Sequence, residues 1–398
     1  MTSEERYIRK RLREARRQAR EFYYCRKYPI QGNKIVFTTI EGTTGFSCNP
    51  KYIALELLRR NLGLDLVWLV DDMTKEFPRG IRKVKNTLKN RAYELSTAKI
   101  WIDNSRKQLE VRKRPGQTYI NTWHGHLAFK PVGLERGELF SKIAYLVSKH
   151  DSALIDYVIT DSRRTDERVA RSMLYDGEKL TYGMPRCDIL LDNHRRDEAK
   201  RNIRNLYDLD ADEKLLLYVP TFRGGSQGTN RSIEKGQHAP NFSRLLQTMT
   251  EKFGGRWTVL LRLHPQLTAR HISAGVHQSR IVDVSKYDDM YELLAASDAC
   301  LTDYSSAAFD AALTYMPVFI YADDVKEYEE ERGSLQWDMR ALPFPFAETD
   351  DELNGAVQSF NEKQYDKKLD EFFEQIGMVR GGDAAKKTAD LIEDLLKK

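Results

Sequence analysis

The stretch CLTDYSSAAFDAAL, Cys300 to Leu313, passes from an apolar, β-rich segment through four polar residues into an alanine-rich helical pattern. A buried strand feeding directly into a helix is the repeating unit of a parallel α/β sheet, so what matters next is how often that unit recurs. It recurs throughout. Around this stretch lie KLLLYVPTF (214–222), WTVLLRL (257–263), IVDV (281–284) and PVFIYA (317–322). Earlier in the chain come KIVFTTI (34–40), DLVWLV (65–70), KIWID (99–103), TYINTW (118–123) and YVIT (157–160). These near-continuous apolar or β-branched runs are what strands buried on both faces require. Helical patterns separate them, such as PKYIALELLRRN with Pro50 near its first turn.

Two series of this kind in 398 residues exceed one hydrophobic core and predict two α/β domains with parallel sheets. We expect a basic arm or helix over 1–28, one Rossmann-like domain over 29–190 and a second over 191–398. The composition, 41% hydrophobic and 31% charged with a net charge of +5, suits a globular protein and gives no bulk signal for nucleic acid. The charge is uneven. The first 27 residues hold Arg6, Arg9, Lys10, Arg11, Arg13, Arg16, Arg17, Arg20, Arg26 and Lys27 against Glu4, Glu5, Glu14 and Glu21. No apolar run follows this basic start, so it does not read as a signal peptide, and the protein is expected to stay in the cytosol. No stretch reaches about 18 uninterrupted apolar residues. As a helix the basic segment has two readings, a solvated surface or a contact with an anionic membrane, with Tyr7, Ile8, Phe22, Tyr23 and Tyr24 as its sizeable anchors. Cys25, Cys48, Cys187 and Cys300 form no CxxC pair, which indicates reduced thiols and neither a zinc ribbon nor a disulfide framework.

Ligands of open parallel sheets bind outside the carboxyl ends of the strands, and those ends are polar here. KLLLYVPTF runs on into Arg223, placing Thr221 and Arg223 after one strand; WTVLLRL runs on into His264, placing Arg262 and His264 after the next. Thr302, Asp303, Ser305 and Ser306 follow the strand in CLTDYSSAAFDAAL. The serine pair precedes a helical pattern, which fits either simple capping or an anion site made of hydroxyls and backbone N–H groups. Arg262 and His264 alternate along a strand, so both side chains are expected on one face, toward a diphosphate. In the first series TWHGH leaves its strand at His124, Gly125 and His126, with Lys130 shortly after. His-x-His gives only two ligands with no third at a recognisable spacing, so no metal is expected. Gly125 would allow a sharp exit from the strand that presents His124 at its tip.

These motifs resemble the CDP-glycerol glycerophosphotransferase family of teichoic acid and capsule polymer assembly. The resemblance rests on GTTGFSCNPKYIALELL (42–58), TWHGHLAFKPVG, YVITDS, GMPRCDIL (183–190), YVPTFRG, LRLHP, DVSKYDDMYELLAASDACLTDYSSAAFDAAL (283–313) and ERGSLQWD (331–338). It implies a GT-B-type fold, two Rossmann-like domains facing a cleft, with the nucleotide on the second domain and the acceptor on the first. The reaction implied is transfer of glycerol phosphate, or a related polyol phosphate, from CDP-glycerol to an acceptor hydroxyl with release of CMP. No cofactor is implied. His124 would be the general base, and His264 would contact the pyrophosphate and stabilise the leaving CMP. Thr302, Asp303, Ser305 and Ser306 would bind phosphate, with Gly125, Lys130, Arg186, Thr221, Arg223, Arg262 and Arg332 as further substrate contacts. His126 would shape the acceptor side.

A lipid-linked glycan or polyol phosphate acceptor would place the enzyme on the cytoplasmic face of the membrane, where the basic arm meets an anionic surface; no nucleic-acid partner is implied. Two departures stand out. His126-Leu127-Ala128-Phe129-Lys130 replaces a Thr-Pro-Leu-Lys run common in the family, and LPFPF (342–346) stands where a PGP step is usual. Both leave the polyol and the acceptor open, as well as the choice between primase and polymerase. Two alternatives share the same architecture: a GT-B glycosyltransferase using a nucleotide sugar, and a non-catalytic nucleotide-binding scaffold at the membrane surface.

Overall fold

A computed structural model describes residues 2–221, 223, 238–263 and 280–397. The chain forms two units, the first made of Met1–His126, Val132–Asp188 and Gly381–Lys398, the second of Leu127–Pro131 and Ile189–Arg380. The main break lies two residues before the 190/191 boundary expected from sequence, and two short segments cross it.

The first crossing is the carboxyl terminus, which the sequence reading assigns to the second domain. Its helix, Ala384–Leu396, packs on the first unit because the buried carboxylate of Asp188 accepts the N–H groups of Ala384 (3.1 Å) and Ala385 (2.8 Å), which a helix start leaves without partners. Arg60 completes the attachment through Glu393 (2.5 Å) and Asp390 (2.8 Å). The second crossing is Leu127–Pro131, just after His126. Phe129 stacks on Phe309 with ring centroids 4.9 Å apart, its carbonyl accepts the Gln336 N–H (2.8 Å), and the Trp337 indole donates to Ala128 O (3.2 Å).

In the first unit α1 (Ser3–Tyr24), α2 (Cys48–Arg60), α3 (Leu88–Thr97), α4 (Lys142–Ser152) and α5 (Arg163–Ser172) surround seven parallel strands. These are β1 (Gln31–Thr38), β2 (Asp65–Val70), β3 (Ile81–Lys85), β4 (Ala98–Asp103), β5 (Thr118–Asn121), β6 (Tyr157–Thr160) and β7 (Glu178–Thr181), in the order β3-β2-β1-β4-β5-β6-β7. Val36, Val67, Trp101, Tyr119 and Val158 meet in one core. The basic helix α1 is part of this unit and not a separate arm. It packs against α3 and buries Ile8, Ala15, Ala19 and Phe22, spaced at helical intervals, with Phe22 joining the core.

In the second unit α6 (Asn193–Leu206), α7 (Phe242–Phe253), α8 (Met290–Ala296), α9 (Ala307–Ala312), α10 (Val325–Arg332), α11 (Asp350–Gln358) and α12 (Glu362–Ile376) accompany six parallel strands. The strands are β8 (Lys214–Val219), β9 (Trp257–Leu261), β10 (Ile281–Asp283), β11 (Ala299–Thr302), β12 (Val318–Tyr321) and β13 (Phe346–Ala347), in the order β10-β9-β8-β11-β12-β13. Each sheet begins in its middle, runs to one edge and returns past its first strand. The order therefore reverses between β1 and β4 in one unit and between β8 and β11 in the other, the positions where a doubly wound sheet opens a crevice at its carboxyl edge. No described helix is long and apolar enough to cross a membrane.

Candidate active site

At the carboxyl edge of the first sheet the chain leaves β5 through Thr122 and Trp123 to His124. Trp123 carries the left-handed backbone of this exit (φ 49°), with its N–H on Asn121 Oδ1 at 2.8 Å, so the sharp turn expected at Gly125 lies two residues earlier. The next ring is aimed by a carbonyl. His124 Nδ1 lies 2.6 Å from the main-chain oxygen of Asn104, which follows β4, while the Asn104 side chain accepts the N–H of Ile40 after β1 (2.8 Å). A carbonyl can only accept, so in the neutral ring Nδ1 carries the proton and Nε2 keeps its lone pair. His124 is exposed to solvent, with nearby protein enclosing part of the ring. That enclosure, then the charges of Arg186 and Arg106, outweighs the Asn104 bond and lowers its pKa from the ordinary imidazole range to about 4. The ring therefore stands ready to take a proton at neutral pH.

Arg106 and Arg186 make this edge electropositive. The Arg106 guanidinium lies 4.6 Å over the Trp123 ring and donates to Ser172 O (3.0 Å). Arg186 is buried, with NH1 3.6 Å from Cys48 Sγ. Behind them a polar network holds the strand ends: Lys107 pairs with Asp103 (2.5 Å), Asp151 accepts the Lys107 N–H (2.8 Å), and the Tyr119 hydroxyl donates to Asp151 (3.2 Å). Burial, aided by the Asp103 charge, pushes the Asp151 carboxyl up to about 7 against the Lys107 N–H bond.

The second histidine of this exit, His126, is the one expected to shape the acceptor side. It is buried, with Nε2 2.9 Å from Ile159 O, and burial lowers its pKa to about 3. The unfolded chain therefore binds a proton at a higher pH than the folded one, and stability rises with pH across that window. Between about pH 6.5 and pH 3 this histidine should subtract up to ~1.4 kcal/mol of stability for each unit of acidification. His126→Gln keeps a donor toward Ile159 without the titration, so the loss in urea midpoint between pH 7 and pH 5 should be smaller in that variant than in the parent. Equal losses would overturn this reading.

In the second unit the edge between β8 and β11 is organised by Arg223. Its guanidinium donates to Asp303 (2.8 Å), to both oxygens of Asp324 (2.5 and 3.0 Å) and to Thr221 O (2.8 Å). Asp303 also accepts the N–H groups of Thr221 (2.9 Å) and Tyr304 (2.6 Å), which ties the two strand ends together. The Tyr304 hydroxyl donates to Asp324 (2.9 Å). Burial alone would raise Asp324; the bond from Arg223 and its charge outweigh that and hold the carboxyl below its usual range. The Tyr304 and Tyr328 rings stack 3.8 Å apart, Arg223 lies over both at 4.9 and 5.2 Å, and Lys130 Nζ lies 5.8 Å from the Tyr328 centroid. Lys130 is held at about 8, first by burial, then raised by Asp303 and lowered by Arg332 and Arg223; it stays mostly cationic at neutral pH. Lys130, Arg223 and Arg332 thus form one cationic group around two tyrosines. His238, Asp323 and Asp324 have ligand-type atoms within 4.8 Å of one another, but Asp324 is already engaged by Arg223 and Tyr304, so the set is better described as an ion-pair cluster.

Other expected site residues take supporting positions. Thr302 is fully buried and its hydroxyl donates to Val219 O (2.6 Å), stitching β11 to β8. Arg262 donates to the carbonyls of Tyr287 and Asp288 ahead of α8. Ser305 Oγ accepts the Ala307 N–H (3.3 Å), whereas Ser306 makes no side-chain cap, and α9 is a helix of only six residues. Ser305 and Ser306 are half-buried. His264 lies outside the described residues. Asn49, Asn104, Asp324 and the Tyr304–Tyr328 stack escaped the sequence reading. Asn104 had a signal, since it directly follows a strand end at the switch point.

A family model described as CDP-Glycerol:Poly(glycerophosphate) glycerophosphotransferase matches residues 21–394. The chain is 29% identical over 379 residues to a teichoic acid poly(glycerol phosphate) polymerase of Staphylococcus epidermidis, with 92% of this chain matched to 51% of that protein. It thus spans about half the length of that relative. A polymerase of the same description from Bacillus spizizenii is 26% identical over 382 residues, covering 92% of this chain and 93% of the relative. Among solved structures, the wall teichoic acid polymerase TagF superposes with a TM-score of 0.81 at 25% identity, covering 99% of this chain and 97% of that one. The shared fold is α/β, of GT-B type. With the family model matched over nearly its whole length, the chain belongs to the CDP-glycerol:poly(glycerophosphate) glycerophosphotransferase family.

Proposed function

We propose that this protein transfers glycerol phosphate from CDP-glycerol to a hydroxyl of a lipid-linked teichoic acid or capsule polymer acceptor, releasing CMP. The observation that carries the chemistry is the 2.6 Å contact between His124 Nδ1 and Asn104 O, which leaves Nε2 free to accept the hydroxyl proton. The acceptor oxygen bonds to the glycerol-bearing phosphorus, the bond from that phosphorus to the bridging oxygen breaks, and CMP leaves with the electron pair. No protein nucleophile is needed, because phosphoryl transfer depends on positioning and on charge stabilisation at the oxygens. Lys130, Arg223 and Arg332 supply cations for the donor diphosphate, joined by Ser305, Ser306 and, outside the described residues, His264. Arg186 and Arg106 suit an anionic acceptor beside His124. A TagF variant soaked with CDPG has the same fold at 25% identity and a TM-score of 0.81, which supports this donor.

The test is CMP release by the purified protein from CDP-glycerol and, in parallel, CDP-ribitol, each with and without a prenol-linked glycerophosphate primer. Acceptor-dependent CMP from one donor establishes the transferase and names its polyol. Release from neither, with cytidine nucleotides not bound, overturns the reading.

A lipid-linked acceptor also gives α1 a use, as a peripheral contact with the inner face of the membrane. Ile8, Ala15, Ala19 and Phe22 are already buried, which leaves the exposed Tyr7, Tyr23 and Tyr24 as its sizeable apolar contacts, while Arg9, Lys10, Arg13, Arg16, Arg17 and Arg20 are exposed and form no ion pair among the described residues. Attraction to an anionic leaflet would then be chiefly electrostatic, on the order of 1 kcal/mol per cation at low salt. Deleting the segment would open the core at Phe22, so charge removal is the sounder test. Changing Arg9, Arg13, Arg16 and Arg20 to glutamine should abolish binding to phosphatidylglycerol vesicles at low salt while leaving transfer to a water-soluble acceptor intact. Undiminished vesicle binding would sink the idea.

A further inference from the structure

Asn49, in the first turn of α2, is fully buried, and its side chain joins backbone groups that lie far apart in sequence. Nδ2 donates to the carbonyls of Thr122 (3.3 Å) and Trp123 (3.0 Å), and Oδ1 accepts the N–H of Arg186 (3.1 Å). Met184 Sδ lies 3.7 Å from Nδ2. The amide orientation is fixed by chemistry, since carbonyls only accept and the Arg186 N–H only donates. The two carbonyls belong to the peptide groups on either side of Trp123, the left-handed residue that turns the chain toward His124. One side chain therefore grips both planes that aim the histidine and, through its other end, the backbone of Arg186.

We infer that Asn49 is a positioning residue for the transfer reaction, holding His124 and Arg186 in one fixed relation; this rests on the reading of His124 as the base. It touches no substrate. Its effect passes through His124, which distinguishes it from a residue that merely stabilises the start of α2. A base displaced by about 1 Å can lose on the order of 10²-fold in rate without any change in the residues that do chemistry.

Asn49→Asp preserves shape but turns the donor into a carboxylate oxygen that faces two carbonyls. At pH 7.5 its kcat should fall by about 10²-fold while the KM for CDP-glycerol stays within about twofold. Acidification to pH 5.5 should narrow the deficit, because protonation of the introduced carboxylate regains a donor toward one carbonyl. The decisive measurement is a double-mutant cycle with His124→Ala. If Asn49 acts through the histidine, Asn49→Asp should change the residual transfer of the His124→Ala protein by no more than about twofold. An equal loss in both backgrounds means a general structural role and overturns the proposal. Should Asn49→Asp fail to fold, Asn49→Ser, which keeps a short donor, is carried through the same cycle with rates expressed per folded molecule. If His124→Ala alone retained full transfer, the base assignment would fail, a result separate from any additivity of Asn49.

Discussion

Replacing His124 with alanine is expected to lower transfer by about 10²- to 10⁴-fold while leaving cytidine nucleotide binding unchanged. The expectation combines the free Nε2, fixed by the 2.6 Å contact of Nδ1 with Asn104, with a pKa of about 4 that keeps the ring unprotonated at neutral pH. That pKa also sets the pH profile. A base acts in its neutral form, so the acid limb of kcat/KM should fall below the ordinary imidazole range, between about pH 4 and pH 6. The bound donor brings negative charge, which favours imidazolium, so the acid limb of kcat should lie at higher pH than that of kcat/KM. His124→Ala should lose both limbs together with the rate. Rates of CMP release from pH 4.5 to 8.5, alongside calorimetric titration with CDP-glycerol, check each part. A variant with normal turnover, or a limb above pH 7, would remove His124 from the base role.

Much of this site was readable because its residues stand at strand ends. KIWID, DLVWLV and KLLLYV are apolar enough to identify themselves, and the polar residues directly after such runs fall at the carboxyl edge of a parallel sheet wherever the strands pair. His124, Thr221, Arg223, Asp303 and Ser305 were accessible to that argument. The edge strands other than Ile281–Asp283 were not. Ile81–Lys85 and Glu178–Thr181 are partly exposed and carry Arg82, Lys83, Lys85, Glu178 and Lys179, so they lack the apolar signal, and such charges are how exposed edges avoid further pairing. The two-residue strand Phe346–Ala347 is too short to show a period. Division of labour within the site was also hidden. Thr302 and Ser305 look alike in sequence, yet one hydroxyl is spent on Val219 and the other is half-buried at a helix start. Arg262 is directed to two carbonyls by a loop 25 residues away. Nothing local in FSCNPKY tells that Asn49 reaches residues 73 and 137 positions further on, because that link exists only once the sheet is assembled.

Arg223 gives the other large effect, because it couples the stability of the second unit to donor binding. Its half-buried guanidinium lies between Asp303 and Asp324, and Arg223→Met would leave two buried carboxylates facing an apolar side chain. Breaking a buried pair from one side costs about 3–5 kcal/mol, since the remaining charge has lost its partner without regaining water. Asp303 keeps the N–H groups of Thr221 and Tyr304; Asp324 keeps the Tyr304 hydroxyl but loses the cation that holds its carboxyl low. Burial should then raise Asp324 above its unfolded value in the variant. The folded variant would bind the extra proton, so its stability should fall as pH rises, the opposite of the parent's Asp324 contribution, which is present above the unfolded carboxyl value and lost as pH falls. The difference in urea stability between parent and Arg223→Met should therefore shrink from pH 7.5 to pH 5. Adding Asp324→Asn removes the stranded charge and should restore most of the stability. It should not restore CDP-glycerol affinity, because the cation stacked over Tyr304 and Tyr328 is still missing. Recovery of both properties together would assign Arg223 to the ion pair alone, and recovery of neither would show that the Asp324 carboxylate is not the source of the instability.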